Sequence, residues 1–363
     1  MAFSKVLVLD TTLREGEQAP NIVLSAGQRI EIGNALSEIG VDFIEIAPIV
    51  GEDAVKATKE LMASANNSKT KVIAHGRAFE ADIDILRKCD VEWGAIFLST
   101  SQLHMTNKLH LDEAGVLKRA EETVTYAKQH GLKLRFTCED ATRTDNSFLR
   151  KMIAVIEGAG AERISITDTV GASTPEQFGA KVKETVSFTK KSEIDVHCHN
   201  DLGLALPNAI SGLQNGATCV HVTINGVGER SGIPSLAETV MALKLLYKVP
   251  LQIKTENLTP LSNMLTKFTG VRTDPFKPIV GENAFRHKGG THLAAVLSKS
   301  ETYEVFSPES VGNTRRLVLG EYSGKNVLKY LNEALGMNMT EDMLKKHLKK
   351  IKGKKGDLFE FEL

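Results

Sequence analysis

Short runs of β-branched and apolar residues alternate with longer amphipathic stretches from the N-terminus to about residue 250. The short runs are Val6–Asp10, Phe43–Ile46, Lys71–His75, Ala95–Leu98, Lys133–Cys138, Arg163–Thr167, Glu193–Val196 and Cys219–Ile224. Their length and composition predict strands. Between them, apolar positions recur at helical spacing over Ala26–Ile39, Ala114–His130, Asn146–Glu157, Pro175–Thr189 and Leu236–Tyr247. Eight such alternations in roughly 250 residues predict a closed (β/α)8 TIM barrel. A doubly wound open sheet is the other arrangement that alternation allows. Polar placement favours closure. Asp10, Arg14, Glu15, His75, Glu139, Asp168, Thr169, His197, His199, Asn200 and Glu229 all fall at or just past C-terminal strand ends, and in a barrel those ends meet at one mouth.

After Tyr247 the pattern changes. Five prolines (Pro250, Pro260, Pro275, Pro278 and Pro308) and several glycines interrupt it, and the segment Phe285-Arg286-His287-Lys288-Gly289-Gly290-Thr291-His292 reads as a mobile loop or lid. From Lys325 a helical pattern returns, with Leu344, Leu348 and Ile351 on one face and a lysine-rich solvated face opposite. The expected organisation is a catalytic barrel over 1–270, a lid or linker over 271–330, and a short helical subdomain over 331–363. The barrel is thus followed by a small, mainly helical C-terminal extension, too short for a regulatory domain.

Charge and cysteine content narrow the function classes. Lysine plus arginine and aspartate plus glutamate number 45 each, so no global field favours nucleic acid or a membrane surface. The first residues, MAFSKVLVLD, hold too short an apolar run for a signal peptide. Cys89, Cys138, Cys198 and Cys219 show no CxxC spacing; reduced thiols in a cytoplasmic protein are the expectation.

The chemistry concentrates in two segments, Leu13-Arg14-Glu15-Gly16-Glu17-Gln18 and His197-Cys198-His199-Asn200-Asp201. Residues i and i+2 of a strand share a face, so His197 and His199 present two imidazoles to one side while Cys198 points away. A carboxylate from another strand end completes a divalent-metal site, and Glu15 is the candidate. Mg²⁺, Mn²⁺ and Zn²⁺ all suit such a donor set.

Those two segments, together with HCHNDLGLA and Asn225-Gly226-Val227-Gly228-Glu229-Arg230, closely resemble the acetyl-CoA-dependent 2-oxoacid synthases of the DRE-TIM metallolyase superfamily: homocitrate, 2-isopropylmalate and citramalate synthases. Arg29 departs from the usual lysine with its charge kept. The resemblance implies that Glu15, His197 and His199 hold the metal, that the 2-oxoacid completes its coordination, and that Arg14 stabilises the developing alkoxide, with Gln18 beside the substrate. It places the base for the acetyl-CoA methyl proton at His292, with Glu139 as its acidic partner and Tyr303 nearby. It further implies a homodimer in which the segment after the barrel reaches into the partner subunit. A metal-dependent aldolase or lyase of the same superfamily could share Arg14, Glu15 and the histidine pair, but not HKGGTH and Tyr303.

For the oxoacid, Arg135 and His75 resemble the homocitrate pattern, in which an arginine grips the distal carboxylate of 2-oxoglutarate, and Thr137 and Thr169 add hydroxyls to that pocket. An arginine on the inner face of a barrel strand needs an anion, and an internal Asp or Glu would serve as well as a substrate. Ala95 fits neither subfamily, since homocitrate synthases generally carry aspartate there and isopropylmalate synthases histidine. The compact C-terminus also resembles homocitrate synthases. The expected activity is therefore condensation of acetyl-CoA with 2-oxoglutarate, on a lysine-forming route, with 2-isopropylmalate or citramalate synthesis as the alternative.

Overall fold

The computed structural model describes residue 3 and residues 5–65, 69–334, 336–353 and 359–362. Eight parallel strands close into a barrel in sequence order: β1 (Leu7–Leu13), β2 (Phe43–Ile46), β3 (Lys71–Arg77), β4 (Trp93–Ser99), β5 (Lys133–Glu139), β6 (Arg163–Asp168), β7 (Glu193–Cys198) and β8 (Cys219–Val222). Closure is made by β1 against β8, with Leu9 opposite His221. The open-sheet alternative is excluded.

The strands are buried on both faces, as a parallel sheet covered by helices requires. Their outer faces meet a ring of helices that includes Ala26–Ile39, Glu113–Gln129, Asn146–Gly158, Pro175–Phe188 and Leu236–Leu245. The first of these starts at a reciprocal Ser25/Gln28 capping box and stops at Gly40, whose φ of 94° suits a residue without a side chain. Inside the barrel, Leu9, Phe43, Ile73, Ala95 and Cys219 pack with Leu7 and Trp93 in the N-terminal halves of the strands. This apolar floor leaves the C-terminal halves for polar side chains.

Two strands run further than their apolar runs suggest. β1 continues to Leu13 through an irregular register between Asp10 and Leu13, and β7 continues through His197 to Cys198. In both, polar residues stay in the ladder because a barrel lumen gives them partners.

Residues up to 254 with 261–271 form one compact unit; residues 255–260 with 272–363 form another. The second unit carries a three-stranded sheet in the order β11-β10-β9, made of β9 (Arg286–His287), β10 (Arg316–Leu319) and β11 (Phe359–Glu362). Leu293, Leu317, Leu319, Val327, Leu328, Leu344 and Ile351 form its core. That core joins residues on both sides of position 330, where a subdomain boundary was expected. The polar segment around residue 287 is not simply a loop. Arg286 and His287 pair with Arg316 and Leu317, and Gly290 opens a helix to Ser298 whose Leu293 is buried. Glycine is needed at 290 for close approach, since a Cβ there would stand 2.5 Å from the Tyr322 carbonyl. Among the described residues, no helix is long and apolar enough to cross a membrane.

Candidate active site

At the end of β1 the Thr11 carbonyl accepts both Arg14 N–H at 3.0 Å and Glu15 N–H at 2.8 Å. This tight turn tips Glu15 into the barrel mouth, where it is buried. His197 projects inward from β7, and His199 follows one residue beyond the strand. Glu15 Oε2 lies 3.9 Å from His197 Nε2, and Glu15 Oε1 lies 3.9 Å from His199 Nε2. One donor atom from each of the three lies within 4.8 Å of the others. Glu15 is fixed from two sides, by Arg14 Nη1 at 2.5 Å and by the Glu229 backbone N–H at 3.0 Å.

Burial, reinforced by the nearby charges of His199, Arg14 and His221, holds His197 well below the ordinary imidazole range. Burial also lowers His199, against the pull of Glu15. Both rings are therefore neutral near pH 7 and offer lone pairs. His199 keeps its Nδ1 buried without a partner. Two neutral imidazoles and one carboxylate within a single pocket fit a divalent cation, and they leave coordination positions for substrate and water.

Beside this trio sits a carboxylate that the apolar run Phe43–Ile46 conceals. Glu45 on β2 is fully buried and accepts from Thr11 Oγ1 at 2.6 Å, Arg14 Nε at 2.9 Å, His75 Nδ1 at 2.9 Å and Arg135 Nη2. Burial pushes its carboxyl up, but Arg135, Arg14 and His75 together hold it well below the usual range. The internal acid left open as a partner for Arg135 is thus present, and the guanidinium is buried behind the cavity wall. Arg135 Nε and Nη1 nevertheless have no partner, nor does Thr137 Oγ1 two residues along the same face of β5.

Arg14, Glu15, Gln18, His75, Thr137, Glu139, Thr169, His197 and His199 all line one cavity of about 420 Å³. Phe97, Lys108, Thr167, His221, Glu229 and Arg230 complete it. Phe97 stacks on His75 with centroids 5.4 Å apart. Glu139 is bonded to Lys108 Nζ at 2.7 Å through both oxygens and also accepts from Ser99 Oγ. His292 and Tyr303 belong to the second unit, where their rings lie 4.1 Å apart and both are exposed.

Glu45, His221 and Lys108 went unforeseen. For Glu45 and His221 a signal existed, since an ionisable residue inside a buried strand requires a partner. Lys108 lies in an irregular helical turn, Met105–Leu109, that no periodicity marks.

Residues 5–265 match the HMGL-like family, and residues 279–357 match the homocitrate synthase post-HMGL domain-like family. Among curated relatives, the 2-isopropylmalate synthase of Sulfurisphaera tokodaii is 45% identical over 96% of this chain and 90% of its own length. The homocitrate synthase of Pyrococcus horikoshii is 42% identical over 95% of this chain and 94% of its own. Among solved structures, the hydroxymethylglutaryl-CoA lyase from Pseudomonas aeruginosa superposes with a TM-score of 0.67 over 74% of this chain and 94% of its own, at 17% identity. That last likeness concerns the fold alone.

Proposed function

The chain belongs to the HMGL-like family, in the branch that holds 2-isopropylmalate and homocitrate synthases, and on that premise we propose that it condenses acetyl-CoA with 2-oxoglutarate and water to give homocitrate and free CoA. Glu15, His197 and His199 would hold a divalent cation, which when bound supplies a Lewis acid for the ketone. Arg14, already anchored by Glu45 and Glu15, faces the cavity and stabilises the alkoxide formed as the carbon–carbon bond closes. His292 takes the methyl proton of acetyl-CoA, with the Tyr303 ring tilted against it. Glu139 and Lys108, bonded to each other at the mouth, set the charge where the thioester enters. His75, Thr169 and Gln18 orient the oxoacid.

One observation carries the substrate assignment. Arg135 Nε and Nη1 and Thr137 Oγ1 form an unpartnered polar strip on the inner face of β5. Each buried donor left unmade costs about 1–3 kcal/mol, and the distal carboxylate of a dicarboxylic oxoacid is a group that would satisfy Thr137, which lines the cavity, with the charge of Arg135 behind it. A different observation favours 2-oxoisovalerate: Glu45 already neutralises Arg135, and Phe97 offers an apolar wall.

Release of free thiol from acetyl-CoA, measured with 2-oxoglutarate, 2-oxoisovalerate, pyruvate and oxaloacetate with and without added metal, decides between them. Preference for 2-oxoglutarate is the expected result. Preference for 2-oxoisovalerate replaces it with 2-isopropylmalate synthesis, and no thiol release with any oxoacid rejects the synthase reading. The same reading makes the protein a cytoplasmic homodimer whose C-terminal segment serves the partner's site.

A further inference from the structure

Behind His197 the barrel holds a second file of polar side chains. His221 on β8 places Nδ1 3.2 Å from His197 Nδ1 and Nε2 3.2 Å from Asp195 Oδ2. Asp195 Oδ1 accepts from Arg163 Nε at 2.8 Å. All four side chains are buried. Asp195 and His221 also lie close to Cys219, a grouping with the residue types of a second metal site. Both Asp195 oxygens are already engaged, however, and the Arg163 guanidinium supplies the positive charge that a cation would bring.

Proton placement along this file follows from its two ends. A contact between two ring nitrogens holds when one donates and the other accepts. At the Arg163 end, the guanidinium can only donate and the ion-paired carboxylate can only accept. Asp195 Oδ2 therefore accepts a hydrogen bond from His221 Nε2–H, which in the neutral ring leaves His221 Nδ1 as an acceptor. His197 must then donate from Nδ1, and its Nε2 lone pair is left facing Glu15 and His199. With both rings neutral, one arrangement of protons satisfies every contact.

We infer that His221 and Asp195 are positioning residues that fix the tautomer of His197, presenting its Nε2 lone pair to the divalent cation. The inference rests on the metal reading of Glu15, His197 and His199. Outer partners of metal-binding histidines act in this way, and their loss weakens metal affinity about 10- to 100-fold.

Asp195→Asn is the discriminating variant. Its amide oxygen would stay with Arg163, so the amide NH₂ would turn toward His221 and donate to Nε2. That moves the His221 proton to Nδ1, opposes it to the His197 proton, and drives His197 toward the tautomer with Nε2 blocked. His221→Asn, by contrast, places an oxygen near the position of Nδ1 and keeps an acceptor for His197.

The experiment titrates Co²⁺ into metal-free protein, reading its visible absorption, with near-ultraviolet dichroism in EDTA as the check on folding. The expected result is affinity about 10- to 100-fold weaker in Asp195→Asn, with His221→Asn closer to wild type. Equal affinity in wild type and folded Asp195→Asn overturns the inference. A wild-type protein that binds no Co²⁺ overturns the metal reading itself. Nitrogen NMR of the wild-type protein labelled at histidine reads the tautomers without any variant: a proton on His197 Nδ1 is expected, and a proton on Nε2 refutes the proposal even if Asp195→Asn fails to fold.

Discussion

Thr137 shows what an unsatisfied atom costs and what it is for. Its hydroxyl is buried and bonded to nothing, so Thr137→Val removes a desolvation penalty from the folded state while keeping the shape. The variant should be at least as stable to urea as wild type. If the hydroxyl meets a substrate carboxylate, a charge-assisted bond of about 1.5–3 kcal/mol is lost, and KM for 2-oxoglutarate rises roughly ten- to a hundred-and-fifty-fold, with a smaller change for pyruvate. Equal changes for both oxoacids would place Thr137 away from the distal carboxylate. Asp10 bears a different penalty. One oxygen accepts from Thr12 N–H at 2.8 Å, the other has no partner, and burial pushes the carboxyl up to about 7. Because its folded value lies above the unfolded one, the native state binds more protons between about pH 4 and pH 7, and stability falls as pH rises through that window. The full loss, felt above pH 7, is at most about 4 kcal/mol at 1.36 kcal/mol per unit. Urea midpoints at pH 5 and pH 8 should differ less in Asp10→Asn than in wild type, and parallel pH dependence in the two proteins would contradict this. The shared direction of His197 and His199 could be read from the sequence because of a strand's two-residue period, and Glu15, offered from another strand end, stands beside them in the structure. For the polar network behind them, the need of Glu45 and His221 for partners was legible but the partners were not, because they lie on other strands.

Elements were legible where local chemistry sets them. The helix Ala26–Ile39 coincides with its expected bounds because a capping box and a left-handed glycine mark both ends. β1 and β7 outran expectation because polar Thr11, Thr12 and His197 continue the strands, whereas the apolar runs stop at Asp10 and Val196. The C-terminal sheet was missed because β9 is two residues long and lies in a segment whose glycines read as loop. Loops also carry the tightest constraint near the site. Between β8 and the helix Leu236–Leu245, Gly232 has φ of 77°, and a Cβ there would stand 1.8 Å from the Gly226 carbonyl oxygen. Its own carbonyl accepts from Asn200 N–H at 2.9 Å, tying this loop to the one that follows His199. Gly232→Ala should therefore cost more than the roughly 1–2 kcal/mol of a left-handed alanine, with metal affinity falling as Glu229 shifts its N–H from Glu15. A thermal melt unchanged in the variant would show that the loop yields freely.

For the whole molecule, the proposed exchange of C-terminal segments makes a prediction that neither unit makes alone. His292→Ala and His199→Ala are each expected to be inactive. In a dimer where His292 serves the partner's barrel, a mixed dimer has one site with both defects and one with none. Unfolding and refolding the two variants together at equal amounts should restore about a quarter of wild-type activity, since half of the dimers are mixed and each carries one intact site. A mixture that stays inactive would place His292 and His199 in the same subunit's site. The barrel's inner carboxylate has a consequence of another kind. Glu45 joins Thr11, Arg14, His75 and Arg135 in one bonded group, and removing one member of a buried charge pair costs about 3–5 kcal/mol. A lineage drifting toward another oxoacid would cross that barrier less readily by changing one wall residue than by changing several together. These five positions should therefore mutate as a block, leaving substrate preference to shift in jumps.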